Sequence, residues 1–318
     1  MKSTIQAFDA SRSRAGLQTV VMENRFLRVT VLPEAGAKIQ SLFYKPLEIE
    51  TLWQNPHVLP RKTATGSSYD DAWSGGWDDI FPNDEPAEVE DRRYPDHGEL
   101  WTAEWQYEIE RAENDVTLYL QTEASLSGCR IEKWVTLPSE EECLRIRYRV
   151  TNLRNSRLSY LWKLHAAMAV SPGDRLEIPA ETVRLEPHYL GSLEGVPMEF
   201  EWPLAPVPGR EIDLRCVPPP ESKQLLFFYA DRLRSGWCAI HRPESRLTIG
   251  LSFPKTLFSS CWLFASYGGW RDTYVAVLEP ATGYPFRLEE AIQSGRCTEL
   301  PPFGRQEFFV ESTVRQCG

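Results

Sequence analysis

Three residues far apart in the chain have the side chains that proton transfer needs. His97 sits in YPDHGELWTAEW (94–105), between Asp96 and Gly98, with Trp101 and Trp105 close behind. The chain has only five histidines in 318 residues, so an imidazole set among carboxylates and indoles asks for a reason. Gly98 permits unusual backbone angles and a close approach by a ligand. The alternative is a loop histidine hydrogen-bonded to Asp96 or to solvent. His165 lies in LWKLHAAMAV, where period-two alternation groups it with Lys163, Ala167 and Ala169. Small neighbours leave open space beside its ring; the alternative is a histidine packed on the outside of a sheet. Glu279 ends the apolar run TYVAVLEP and shares a face with Val275 and Val277. Burial there would raise its pKa toward a value useful in acid–base catalysis. Pro280 predicts that the chain leaves the sheet at that point, and a solvent-facing glutamate is the alternative.

A fourth group is the cluster DDAWSGGWDDIFPNDEP (70–86). Trp73, Gly76, Trp77, Asp78, Asp79, Phe81 and Asn83 combine flat apolar surfaces with hydrogen-bond acceptors, the make-up of a carbohydrate platform. Asp and Asn side chains also suit calcium, but the spacing is not that of an EF-hand loop, and no metal is expected. The chain has no GxGxxG, no P-loop lysine motif and no GxSxG. Imidazole and carboxylate remain, a tool kit for proton transfer.

The elements that must position these groups read mostly as strands. In CLRIRYRVTN, Leu144, Ile146, Tyr148 and Val150 share one face; Arg145, Arg147, Arg149 and Thr151 share the other. FLRVTVL (26–32), VTLYLQT (116–122), RLTIGLSF (246–253) and LSYLWKLHAAMAV (158–170) alternate in the same way. TYVAVLEP (273–280) is apolar throughout, as for a strand buried on both faces. One short helix is predicted in RLEEAIQSG (287–295). Many strands without βα alternation imply an antiparallel all-β sandwich or barrel, one domain over 1–318. Residues 54–96 carry few strand signals and read as a long functional loop. The proline-rich stretch 201–222 reads as a surface connection that contributes to a pocket wall.

The composition narrows the partners. With 35 basic and 45 acidic residues, the net charge of −10 disfavours a nucleic-acid binder. No apolar run reaches a membrane span and no secretory signal is evident at the N-terminus. Seven scattered cysteines lack CxxC or zinc spacing and read as free thiols of a cytoplasmic protein.

The order of several motifs resembles the aldose 1-epimerase (galactose mutarotase-like) family over about residues 20–315. They are VTVLPEAGAKIQSLFYKPLEIETLW, GGWDDIFPN, DHGELWTAEW, KWVTLPSEEECLRIRYRVTNLRNSRLSYLWKLHAAMAV and VAVLEPATGYPFRLEEAIQSGRCTELPPFGRQEFFVESTV. The resemblance implies a β-supersandwich of antiparallel strands with a sugar cleft, and cofactor-free interconversion of sugar anomers. It places Glu279 as general base, protonated His165 as general acid and His97 as the second histidine. Trp77, Asp78, Asp79, Asn83, Trp101 and Arg271 become candidate sugar-binding residues. The chain departs from the family pattern at Lys38, where an arginine is usual, and at Glu99 after the His–Gly pair. The acids Asp78, Asp79 and Glu99 are therefore expected to alter substrate choice. Lys38 and Arg271 are the cations available for a sugar phosphate. Rival readings are a non-catalytic carbohydrate-binding protein, and a lyase or hydrolase that pairs Asp78 or Asp79 with Glu279.

Overall fold

A computed structural model describes residues 2–9 and 16–316; Cys317 lies outside the described residues. Two antiparallel sheets dominate. The larger has 12 strands and runs through Thr4–Phe8, Thr19–Glu23, Leu27–Leu32, Lys38–Tyr44, Trp77–Ile80, Lys163–Met168, Tyr274–Ala281, Ser260–Tyr267, Gln224–Asp231, Thr182–Leu185 and Glu199–Glu201, with Ile49–Glu50 paired to Lys38–Tyr44. The smaller has eight: Arg175–Glu177, Trp237–Arg242, Leu247–Ser252, Arg305–Gln316, Cys143–Asn152, Cys129–Pro138, Asp115–Ala124 and Gln106–Arg111.

One apolar core lies between the sheets. Leu164, Ala166, Met168 and Leu278 of the larger sheet share it with Ile146, Tyr148, Val150 and Val310 of the smaller. The alternation read from CLRIRYRVTN is the reason: its even-numbered apolar residues point inward. Its arginines face out, where Arg145 pairs with Glu311, Arg149 with Glu307, and Arg147 covers the Trp134 ring. The 158–170 run keeps its alternation but divides in two: Leu158–Tyr160 pairs with Thr298–Leu300, while Lys163–Met168 enters the larger sheet. The predicted helix forms over Leu288–Gln293 and buries Leu288 and Ala291. Among the described residues no helix is long and apolar enough to cross a membrane.

Three expectations are corrected. Residues 54–96 are not one loop: they include a short helix Tyr69–Ala72, a hairpin Ala87–Val89/Arg92–Tyr94 and, above all, the fully buried strand Trp77–Ile80 in the middle of the larger sheet. The sequence WDDI hides this strand because two acids look unfit for burial, yet each finds partners. Pro280 does not end its strand, which continues to Ala281; Pro280 faces Cys261 across the ladder. The proline-rich stretch forms a hairpin, Leu204–Val207/Arg210–Asp213, packed on the core through Ala205 and Leu214.

Candidate active site

The alternation of the central strands sends Lys163, His165 and Ala167 to the face of the larger sheet that points away from the smaller one, with Val277, Glu279 and Ala281 beside them. The ladder joins Lys163 to Ala281 and Ala166 to Leu278, so the same register sets His165 opposite Glu279. Pro280 offers no N–H, and the pairing opens at this point. On the other flank His165 pairs with Asp78, and Glu279 pairs with Trp262. Antiparallel partners share a face, so both ionisable groups reach the same side.

His97 comes from a loop. It has φ of 56° and is followed by Gly98 at 69°. A Cβ on Gly98 would stand 2.1 Å from the carbonyl oxygen of Phe81, so only glycine allows the loop to dock there. Backbone bonds from His97 to Asp84 and from Glu99 to Phe81 hold it down. The result is a cleft of about 520 Å³ lined by His97, His165 and Glu279. Tyr69, Asp70, Asp84, Glu85, Asp96, Lys163 and the aromatic rings of Trp73, Phe227, Phe264, Trp270 and Phe286 also contribute to its walls.

The polar groups form a connected set. Lys163 Nζ lies 2.7 Å from Glu279 Oε2 and 2.8 and 3.0 Å from the two oxygens of Asp84. Asp84 Oδ1 is 3.3 Å from His97 Nε2, and His97 Nδ1 is 2.7 Å from Asp96 Oδ1. Asp96 Oδ2 also accepts from the Tyr69 amide. The Tyr69 hydroxyl donates to Asp78 at 2.8 Å and contacts His165 Nδ1 at 3.2 Å. Glu279 Oε2 has its ion pair but no hydrogen bond of proper geometry.

Environment sets the charges. Burial raises the Glu279 pKa, against the opposing pull of Lys163. Burial disfavours protonated His97, but Asp84 and Asp96 outweigh it and raise its pKa. Burial, followed by Lys163 and His97, lowers His165 well below the ordinary histidine value. That shift favours the neutral imidazole at His165, where the family resemblance implies the protonated form. Lys163 remains charged: burial opposes this, but Asp84 and Glu279 prevail.

Trp73 of the aromatic and acidic cluster lines the cleft, but Trp77, Asp78, Asp79, Asn83, Trp101 and Arg271 do not. Trp77 and Asp79 point into the core between the sheets, and Asp79 is held there by Lys133 at 2.8 Å and by Tyr148. Asp78 lies behind Tyr69, paired with Lys38 at 3.1 Å. Asn83 donates to the backbone of Glu85 and Pro95 and so shapes the loop. Trp101 supports Tyr69 from behind, edge-on at 5.1 Å, and donates to the Asp96 carbonyl. Arg271 binds Asp71 and the Asp70 carbonyl outside the lining. Glu99 accepts from the amides of Leu126 and Ser127, an anchoring role. The 201–222 stretch contributes nothing to the cleft wall. Residues that sequence reasoning passed over are Asp84, Tyr69 and Lys163. Lys163 carried a signal, since it alternates onto the face of His165; Asp84 and Tyr69 carried none.

No family model and no curated protein matches the chain. Solved structures do. A candidate aldose 1-epimerase from Klebsiella pneumoniae superposes with a TM-score of 0.72 at 11% identity, over 98% of this chain and 87% of that one. A candidate aldose 1-epimerase from Escherichia coli K12 gives 0.67 at 15% identity, over 99% and 100%. A galactose mutarotase-like protein from Clostridium acetobutylicum gives 0.69 at 10% identity, over 99% of each chain. The fold is therefore galactose mutarotase-like, an antiparallel β-supersandwich.

Proposed function

We propose that this protein interconverts the α and β anomers of an aldose without a cofactor, as an aldose 1-epimerase does. The observation that carries the reading is the cross-strand placement of His165 and Glu279 in one cleft that His97 also lines. The mutarotase-like neighbours lend it support at the level of fold.

A cyclic aldose is a hemiacetal. One group of the pair takes the proton of the anomeric hydroxyl while the other delivers a proton to the ring oxygen. The bond from C1 to the ring oxygen breaks and an open-chain aldehyde forms. Rotation about C1–C2 exposes the opposite face of the carbonyl, and the reverse transfers close the ring. The pair thus needs one proton in total. Burial shifts the two groups in opposite directions, His165 down and Glu279 up, which brings their proton affinities toward each other. The family resemblance makes Glu279 the starting base and His165 the starting acid, and ring closure exchanges the roles. Assistance of this kind contributes about 10²–10⁴-fold. His97, held between Asp84 and Asp96, positions the sugar; it keeps 18% side-chain exposure and so remains within reach of a ligand. The partly exposed rings of Phe264, Trp270 and Phe286 in the lining suit the apolar faces of a sugar ring.

A hydrolase that pairs Asp79 with Glu279 is disfavoured, because those carboxylates lie on opposite faces of the sheet. The test is exchange NMR on a panel of aldoses, plain and phosphorylated, corrected for spontaneous mutarotation. Acceleration that disappears in Glu279→Gln is the expected result. Sugar binding without acceleration would leave a carbohydrate-binding protein on this fold.

A further inference from the structure

We infer that the cleft selects aldoses without an anionic group, and that an ammonium substituent on the sugar is accepted while a phosphate or carboxylate is rejected. This rests on the cleft being a sugar site, and it concerns charge rather than catalysis.

Five carboxylates line the cleft, Asp70, Asp84, Glu85, Asp96 and Glu279, against two cationic side chains, Lys163 and His97. Both cations are already committed within the wall. Lys163 is clamped by Asp84 and Glu279, and His97 lies between Asp84 and Asp96. Asp70 and Glu85 are left over. Among the described residues the Glu85 carboxylate has no hydrogen bond or ion pair. Asp70 stands 3.9 Å from Arg271, whose closer partner is Asp71 at 2.8 Å. Burial raises the pKa of both; Asp84 and Asp96 add to the rise at Glu85, while at Asp70 His97 and Arg271 oppose it more than Asp96 adds. Arg287 stays outside the lining, 5.8 Å over the Phe286 ring.

The two cations that sequence reasoning offered to a sugar phosphate are taken as well. Lys38 is buried against Asp78, Ser74 and the Gly75 carbonyl, and Arg271 is held by Asp71. A phosphate entering the cleft would meet like charge and no free cation among the lining residues. Like charges brought together weaken binding. An ammonium group would meet the spare carboxylates Asp70 and Glu85.

The test uses the whole chain and four sugars in both the gluco and galacto series: the plain aldose, its 6-phosphate, its uronate and its 2-amino-2-deoxy form. Binding is read by saturation-transfer NMR and anomer exchange in parallel, at low and high salt. The 6-phosphate and uronate should bind at least about tenfold more weakly than the plain sugar, with the gap narrowing as salt rises. The amino sugar should bind at least as well as the plain one. Glu85→Gln combined with Asp70→Asn should narrow the plain-to-phosphate ratio. Tighter binding of the phosphate, or a ratio indifferent to both salt and the double substitution, overturns the inference. Selective binding with no exchange would remove the epimerase reading and keep this one. No binding by any sugar would remove both.

Discussion

His97 lies flat against Tyr69, with ring centroids 4.0 Å apart and planes 5° from parallel. The same phenol contacts His165 Nδ1, so one buried ring joins the two histidines of the cleft. Burial, then Asp78, pushes the Tyr69 pKa well above its ordinary value. The phenol keeps its proton and donates it to Asp78. The His165 Nδ1–H therefore donates to the phenol oxygen, which leaves Nε2 as an unprotonated acceptor.

Tyr69→Phe keeps the ring stacked on His97 but removes the acceptor for His165 Nδ1–H. The tautomer preference of His165 should weaken, as seen in long-range ¹H–¹⁵N spectra. Epimerisation should fall about tenfold, the scale of one net hydrogen bond. An unchanged tautomer would show that the phenol does not set it.

The two histidines should titrate in opposite senses. His97, raised above 6.5, contributes stability that is complete below pH 6.5 and is lost as pH rises through its higher folded-state pKa. His165, lowered well below 6.5, contributes stability that is present above pH 6.5 and is lost as pH falls through its folded-state pKa. Side-chain NMR should show His97 titrating while His165 stays neutral. His97→Asn should flatten the stability change above pH 6.5, read from urea midpoints against pH. Two histidines titrating together would contradict both assignments.

Catalysis should follow a bell-shaped pH profile, because the Glu279–His165 pair needs one proton. The alkaline limb reflects loss of that proton and the acid limb gain of a second, with apparent values that belong to the pair. His165→Ala should lower the rate about 10²–10⁴-fold and remove the bell. A variant that kept the wild-type profile would place the proton transfer elsewhere.

Gly98→Ala forces a methyl group toward the Phe81 carbonyl at a positive φ. The loop should lift, taking His97 from Asp84 and returning its pKa toward the ordinary value. Activity should fall while the core strands keep their amide protection, since the strain is confined to the loop. Hydrogen exchange together with the His97 titration checks this; a normal His97 pKa shift in the variant would refute it.

Lys133→Met leaves Asp79 buried between the sheets with only Tyr148 as partner. The loss should be about 3–5 kcal/mol in denaturant unfolding, the cost of orphaning a buried charge. Adding Asp79→Leu should recover most of it. A loss that the second substitution does not relieve would mean that the pair is not the source.

The alternating faces of CLRIRYRVTN and LSYLWKLHAAMAV were legible because strand periodicity is local: a residue and its second neighbour share a side whatever the rest of the chain does. His165 and Lys163 on one face and Glu279 on the face of Val275 and Val277 follow from that reading, while His97 beside a permissive glycine was a separate signal. The structure brings all three to the lining of one cleft. The strand Trp77–Ile80 was not legible, because its fitness depends on groups 40 or more residues away. Lys38 neutralises Asp78 on one face, while Lys133 and Tyr148 hold Asp79 on the other. Adjacent acids of identical chemistry are sent to opposite sides of the sheet, so type and spacing could not separate a ligand contact from a core ion pair. The amino-acid sequence by itself determined which side chains share a face of each strand. Only the tertiary structure decided which charges are paired, because burial and the distance to a partner set the cost of a charge, and both arise from segments that meet only in the fold.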